Sequence, residues 1–486
     1  MNHFISRALD LATMRGAGYA DARIVQTTEQ TLAVKNGAVD ALSFHESMGF
    51  GVRVLVNGAW GFAASREITV EEIDRVTALA LRIAAASATV HGDAVTLGAA
   101  VRNRGSYLTP IQIDPFSISA EEKLNVLLNA DQEMSRVKGA SIRQGNLVFI
   151  REKKFFANSE GAETEQTIYE SGGGIMATAI SDDEVQRRSY PNSGGRGQGC
   201  AGWEYILAMD LVGNAERVAS ESVALLSAAE CPRDVRATLI LGGSQVAIQV
   251  HESCGHPTEL DRVFGTEAAS AGTSFLTPDK LHTFKYGSAI VNLTADAIRP
   301  TGLGTFGWDD EGVPATSMPI VRDGIFSGYL MSRETAPLLG LDSNGCMRAS
   351  SWNRIPLIRM TNVSLEAGEW GFDDLIADTD DGIYMDTNHS WSIDDKRLNF
   401  QFGTEIGYEI KRGKMTRLLK NCTYTGITPE FWNSCDAICN AKHWTMWGTP
   451  DCGKGQPRQM AHTGHGASPA RFRNVRVGGI GDESDT

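Results

Sequence analysis

The chain has no run approaching the roughly 18 to 20 uninterrupted apolar residues that cross a bilayer, although 42% of its 486 residues are hydrophobic. A membrane-spanning helix is therefore not expected. The first segment, MNHFISRALDLATMRGAGYADA, lacks the apolar core of a secretory signal, because charges are spaced through it. With neither leader nor span, the expected location is the cytoplasm. Cysteine is sparse: Cys200, Cys231, Cys254, Cys346, Cys422, Cys435, Cys439 and Cys452 include no C-x-x-C pair. That excludes a disulfide framework and a zinc ribbon. Positive charge is also short, with 45 Lys and Arg against 59 Asp and Glu and a formal net charge of -14. Nucleic acid is not an expected partner, since phosphate binding needs a basic footprint. No phosphate-binding G-x-x-x-x-G-K-[ST] loop, nucleophile elbow or tandem repeat is present.

What is present reads as an α+β protein with ample core, of about two to four folding units by length. Residues 1–90 alternate helical and strand-like patterns, with Asn36-Gly37 and Asn57-Gly58 as hairpin turns. The Thr69 to Glu72 and Ser119 to Glu122 capping boxes announce helices. Residues 91–118 have no clear period and read as a connector laid over the surface. Residues 119–230 form a middle α+β region that packs with the first, as a mixed or antiparallel sheet. Residues 231–486 read as a C-terminal domain, turn-punctuated and rich in antiparallel β, carrying a metal-binding helix.

That helix holds HESCGH, residues 251–256. In H-E-x-x-H the two histidines sit at i and i+4 on one face and grip one metal. Here the spacing is i and i+5, about 140° apart on a straight helix. With Ser244 as N-cap, the segment QVAIQVHESC predicts about ten helical residues. Gly255 then interrupts, and Pro257 biases His256 away from the α region. A helix end or a π-type widening at this point brings His251 and His256 to one metal. Glu252, next to the first histidine, is placed to take a proton from a water activated there. A catalytic zinc needs a third protein ligand, and the candidates downstream are His282, His389, His443, Cys452, His462 and His465. Cys452 lies in the glycine-flanked PDCGKGQP, near Lys454, whose charge favours a thiolate. Cys254, at i+3 from His251, reads as a packing residue. The acidic Asp309, Asp310 and Glu311 are either a solvated turn or a cluster near the site.

Several segments together resemble the TldD/PmbA metalloproteases, along nearly the whole chain. They include GFGVRVLVNGAWGFAA, HESCGHPTELD with its trailing Glu259 and Asp261, LGTFGWDDEGVPA, IPLIRMTNVSLEAGE and PDCGKGQ. The resemblance implies a zinc peptidase with one Zn2+ per TldD-like subunit. Carried over position by position, the metal ligands are His251, His256 and Cys452, and the catalytic base is Glu252. It also implies unfolded or extended peptides as substrates, and a dimer with either a metal-free TldE/PmbA-like subunit or a second copy. An intact metal motif places this chain on the TldD side. The sequence departs from the family at Asn388 to Arg397, before LNF, and in the tail after Cys452, which points to an altered substrate channel. A peptide entering a β-rich domain is expected to pair with a strand edge, so folded proteins should be poor substrates. Two other readings compete: a non-catalytic subunit that binds peptide or stabilises a partner, and a zinc amidase acting on a non-peptide substrate.

Overall fold

The computed structural model describes residues 2–90, 92–270 and 272–478. The hairpin signals are realised: strands Tyr19–Lys35, Ala38–Val56 and Ala59–Ser65 turn at Asn36-Gly37 and Asn57-Gly58. All four turn residues have positive φ, 49° and 78° in the first turn and 51° and 76° in the second. Only such turns match the right-handed twist of the strands they join. Strand Ala140–Asn158 pairs antiparallel with Tyr19–Lys35, and Glu163–Ile180 pairs with Ala140–Asn158, so the first and middle regions share one eight-stranded sheet. The segment read as a surface connector contributes a strand of its own, Arg104–Leu108, parallel to Glu163–Ile180 at the sheet's edge. Its five residues are too few for a pattern to stand out from the surrounding loop.

Strand alternation divides this sheet's work. Ala20, Ala22, Ile24, Leu32 and Val34 point to one face, which helices Asn2–Met14, Val70–Ser87, Ala120–Ser135 and Leu211–Leu226 cover. Thr69 and Ser119 cap two of these helices, each accepting a hydrogen bond from the backbone N–H three residues on. The intervening positions, Asp21, Arg23 and Glu29 among them, turn to the opposite face, toward the C-terminal region.

In the C-terminal region a second eight-stranded sheet carries the main core. Five of its strands, Asp381–Ile393, Val235–Leu241, Ala470–Val477, Cys422–Ile427 and Asn399–Lys411, close on themselves like a barrel, because the first also pairs with the last. Most pairings are antiparallel, as the turn pattern predicts. Val235–Leu241 against Asp381–Ile393 is a parallel exception. Phe400, Phe402, Tyr424, Trp432 and Phe472 fill the interior, with Phe431 and Phe472 stacked at 4.0 Å. Helix Gly243–Val250 leaves strand Val235–Leu241 and is almost wholly buried. Its two glutamines meet Tyr424 of the barrel wall: Gln245 Nε2 donates to Tyr424 Oη, which donates to Gln249 Oε1, both at 2.9 Å. Buried polar side chains tied this way fix the helix in one position. A hairpin of Thr445–Lys454 and Gln459–Ala467 lies beside it. Among the described residues, no helix is long and apolar enough to cross a membrane.

Candidate metal centre

The buried helix starts at the N-cap Gly242, not at Ser244. Ser244 lies within the first turn of the helix, and its hydroxyl donates to Asp386 Oδ1 at 2.8 Å. After Val250 the helix widens: residues His251–Gly255 form a π-turn, in which the His256 N–H reaches back to the His251 carbonyl. The extra residue per turn swings the i+5 position round to the face of position i, and the two imidazole centroids stand 4.9 Å apart. Carbonyls loosened by the widening find other donors. Tyr286 Oη bonds the Ser253 carbonyl at 2.5 Å, and Thr258 Oγ1 bonds that of Gly255 at 2.7 Å.

Two details correct the expectation. His256 keeps α-region angles, φ -58° and ψ -41°, despite the proline after it. Its N–H bond to His251 and the Thr258 hydroxyl hold that conformation, and Pro257, in the first turn of a short 3-10 segment, loses no hydrogen bond. Gly255 is also α-helical, so it does not break the helix. Its role is close approach: a Cβ there would lie 1.9 Å from Met360 Sδ.

The donor atoms of His251, His256 and Cys452 converge within 4.8 Å of one another, all buried. His256 Nε2 and Cys452 Sγ are 3.6 Å apart. A tetrahedral zinc with ordinary Zn–N and Zn–S bonds sets its nitrogen and sulfur ligands about 3.6 Å apart, the spacing this pair shows, and a donor set of two imidazole nitrogens and a thiolate suits that ion.

The second nitrogen of each imidazole is anchored. His256 Nδ1 lies 2.9 Å from Glu259 Oε2 and donates to it, which leaves Nε2 as a lone pair toward Cys452. His465 Nδ1 stands 2.8 Å from the Val363 carbonyl, which can only accept. The His465 proton is therefore on Nδ1, and its Nε2 accepts from His251 Nδ1 at 2.7 Å. His251 in turn keeps its Nε2 lone pair free.

Electrostatics point the same way. Burial holds both His251 and His256 below the ordinary imidazole range, favouring the neutral, metal-binding form. Burial raises the Cys452 thiol, but His256 and the Arg359 guanidinium outweigh it, and the net shift is downward toward thiolate. Arg359 also donates to the Cys452 carbonyl. Burial opposes ionisation of Glu259, yet Lys454 at 3.5 Å, His256 and Arg262 bring it well below the carboxylate range. Cys254 behaves oppositely: burial pushes it up to about 12, and its sulfur lies 3.1 Å from Tyr286 Oη. It is an inert packing thiol.

Glu252 lines a cavity of about 420 Å³ together with His251, His256 and Cys452. Its Oε2 accepts from Arg397 Nη1 at 2.7 Å. The remaining candidates lie elsewhere. His462 pairs with Glu170 at 2.7 Å, His443 accepts from the Phe372 N–H, and neither His282 nor His389 joins the trio. Asp309, Asp310 and Glu311 are not a solvated turn. They are buried and reach the N-terminal sheet, Glu311 through Arg53 at 3.4 Å and Asp310 through Lys154 at 3.0 Å, and none of them lines the metal cavity. Sequence reasoning missed the orienting role of His465 and the contact of Arg397. His465 carried a signal, as one of few histidines downstream, whereas Arg397 closes the departing segment Asn388 to Arg397, which the sequence tied to the substrate channel without singling out that residue.

Comparisons with known proteins cover almost the whole chain. Models of the PmbA/TldA metallopeptidase match in order: domain 1 at residues 20–84, the central domain at 113–228 and the C-terminal domain at 235–479. A metalloprotease of Methanocaldococcus jannaschii is 28% identical over 422 residues, covering 86% of this chain and 89% of the relative. A protein named zinc metalloprotease TldD homolog, from Saccharolobus solfataricus, is 24% identical, covering 99% of this chain and 100% of the relative. The solved structure of TldE from Thermococcus kodakarensis shares the fold, with a TM-score of 0.77 at 15% identity, covering 98% of this chain and 100% of that one.

Proposed function

The chain belongs to the PmbA/TldA metallopeptidase family, and from that premise we propose that it is a zinc-dependent peptidase acting on unfolded or extended peptides. The observation that carries the proposal is the convergence of His251, His256 and Cys452, with Glu252 on the wall of the same cavity. The three would hold one zinc, and the mixed nitrogen and sulfur donor set suits that metal. When bound, zinc makes water acidic enough to yield a nucleophile near neutral pH and polarises the scissile carbonyl. Glu252 accepts the proton of the attacking water and passes it to the leaving amine. Glu259 and His465 keep the imidazoles turned, and the burial around them keeps competing water out.

An extended substrate has a place to pair. Strand Val235–Leu241 stops pairing with Asp381–Ile393 at Met385, and Asn388, Trp391, Ser392 and Ile393 beyond that point line the cavity. Trp391 is 54% exposed. Backbone pairing along this open side gives length recognition with loose sequence preference and excludes folded chains. The metal motif supports a TldD-like role for the chain, acting with a TldE-like partner or a second copy in the cytoplasm.

The test uses an unfolded peptide and chains matched for zinc content. Glu252→Gln should keep the metal and lose about 10²- to 10⁴-fold in kcat. Undiminished cleavage at equal zinc occupancy removes Glu252 as the base.

A further inference from the structure

Arg397 closes the cavity from a turn that leaves it little freedom. Its backbone is in the left-handed region at φ 62°. The Asp394 carboxylate accepts the N–H groups of Leu398 and Asn399, and the Thr428 hydroxyl donates to the Arg397 carbonyl at 2.9 Å. A side chain mounted on so constrained a loop is presented, not merely tethered. Yet among the described residues only Nη1 is engaged, by Glu252. Nε is buried and has no hydrogen-bond partner. In a guanidinium, Nε and Nη2 form the fork that grips a carboxylate with two parallel bonds. Glu252 uses neither.

The cavity's charge completes the case. Three arginines line it, Arg196, Arg397 and Arg458, against two carboxylates, Glu252 and Asp451. Asp451 is already paired with Arg196, and Glu252 with Arg397 through a single nitrogen. The wall therefore lacks a carboxylate for the unpaired fork; with the Cys452 thiolate counted the lining charges balance, and a bound divalent cation would leave the cavity net positive.

We propose that Arg397 is a specificity-determining residue that binds a carboxylate of the substrate next to the scissile bond. The inference rests on the peptidase reading and names what that peptidase selects. Contact with Glu252 puts the guanidinium within one residue of the reacting carbonyl. The carboxylate has two possible sources, the free C-terminus of the peptide or an Asp or Glu side chain. A C-terminal carboxylate would make the enzyme trim chains from that end.

The experiment measures peptide binding by fluorescence anisotropy on the full chain, zinc-loaded, with Glu252→Gln to prevent turnover. Two pairs of extended peptides are compared, one differing as C-terminal acid against amide, the other as internal Glu against Gln. At least tenfold tighter binding of the charged member is expected in one pair, and that pair identifies the source. The preference should fall below about twofold in Arg397→Gln and return in part in Arg397→Lys, with zinc content unchanged in both. Equal affinity within both pairs overturns the inference, as does a preference that survives Arg397→Gln at full zinc content. Carboxylate-dependent binding by a chain that, with Glu252 restored, cleaves no peptide supports the role of Arg397 and contradicts the peptidase reading. Cleavage by the Glu252 chain without any carboxylate preference does the reverse.

Discussion

Each imidazole of the candidate metal trio turns one nitrogen toward the other two donors because its second nitrogen is already committed. For His256 the anchor is a carboxylate, Glu259, and for His251 it is a neutral imidazole, His465. Burial, with His251 beside it, holds His465 well below the ordinary imidazole range, so it stays uncharged and can accept the His251 proton. His465→Ala should therefore weaken zinc binding by about 10- to 100-fold, measured by competition with a chelating dye. Unchanged affinity would show that His251 is oriented without it. The trio was only partly legible in the sequence, for a physical reason. His251, Glu252 and His256 announce themselves because they share one turn, whereas Cys452 stands 196 positions from His256 and was tied to the site mainly by the family resemblance. His465 is farther still, 214 positions from His251, and the choice between ligand and orienter depends on tautomer, which spacing does not encode.

At the scale of elements, a widened helical turn makes the odd histidine spacing work. The sequence marked the place through Gly255 and Pro257 but not the mechanism, since the turn continues helically through both residues. Packing against Met360 is what demands glycine. Gly255→Ala should cost about 1–3 kcal/mol by overpacking, and less than that in a Met360→Ala background, measured as a double-mutant cycle in urea denaturation. No coupling between the two would place the strain elsewhere. Local signals, namely the Thr69 and Ser119 caps and the two Asn-Gly turns, were legible because their determinants lie within four residues.

The hairpin bearing Cys452 is docked on the N-terminal sheet by His462 against Glu170. Burial disfavours the charged imidazole, but the Glu170 carboxylate outweighs it and raises His462 above its ordinary value. The pair's contribution is thus complete below pH about 6.5 and is lost as pH rises through the raised folded value. Relative to His462→Gln, the native chain should be about 1 kcal/mol more stable at acidic pH and no more stable at alkaline pH. A margin that grows with pH would contradict this.

Buried charge joins the N-terminal sheet to the C-terminal region. Arg53 donates to Asp21 at 2.7 Å and reaches Glu311 across the junction at 3.4 Å, while Lys154 meets Asp310 and Arg333 meets Glu160. Arg53→Ala leaves two buried carboxylates without their cation and should cost about 3–5 kcal/mol in urea denaturation. A loss under about 1 kcal/mol would mean that these ions are spectators. The acidic run Asp309 to Glu311 looks solvent-facing when read alone, because its partners lie in strands far away in the sequence. The α+β class, by contrast, followed from alternation and turn residues that each strand carries itself. The central claim, one zinc held by His251, His256 and Cys452, is tested most directly by metal analysis of the purified chain beside His251→Ala and Cys452→Ala. Close to one zinc per native chain, lost in both variants while the fold persists, is the expected result. Full zinc retention in either variant would contradict it.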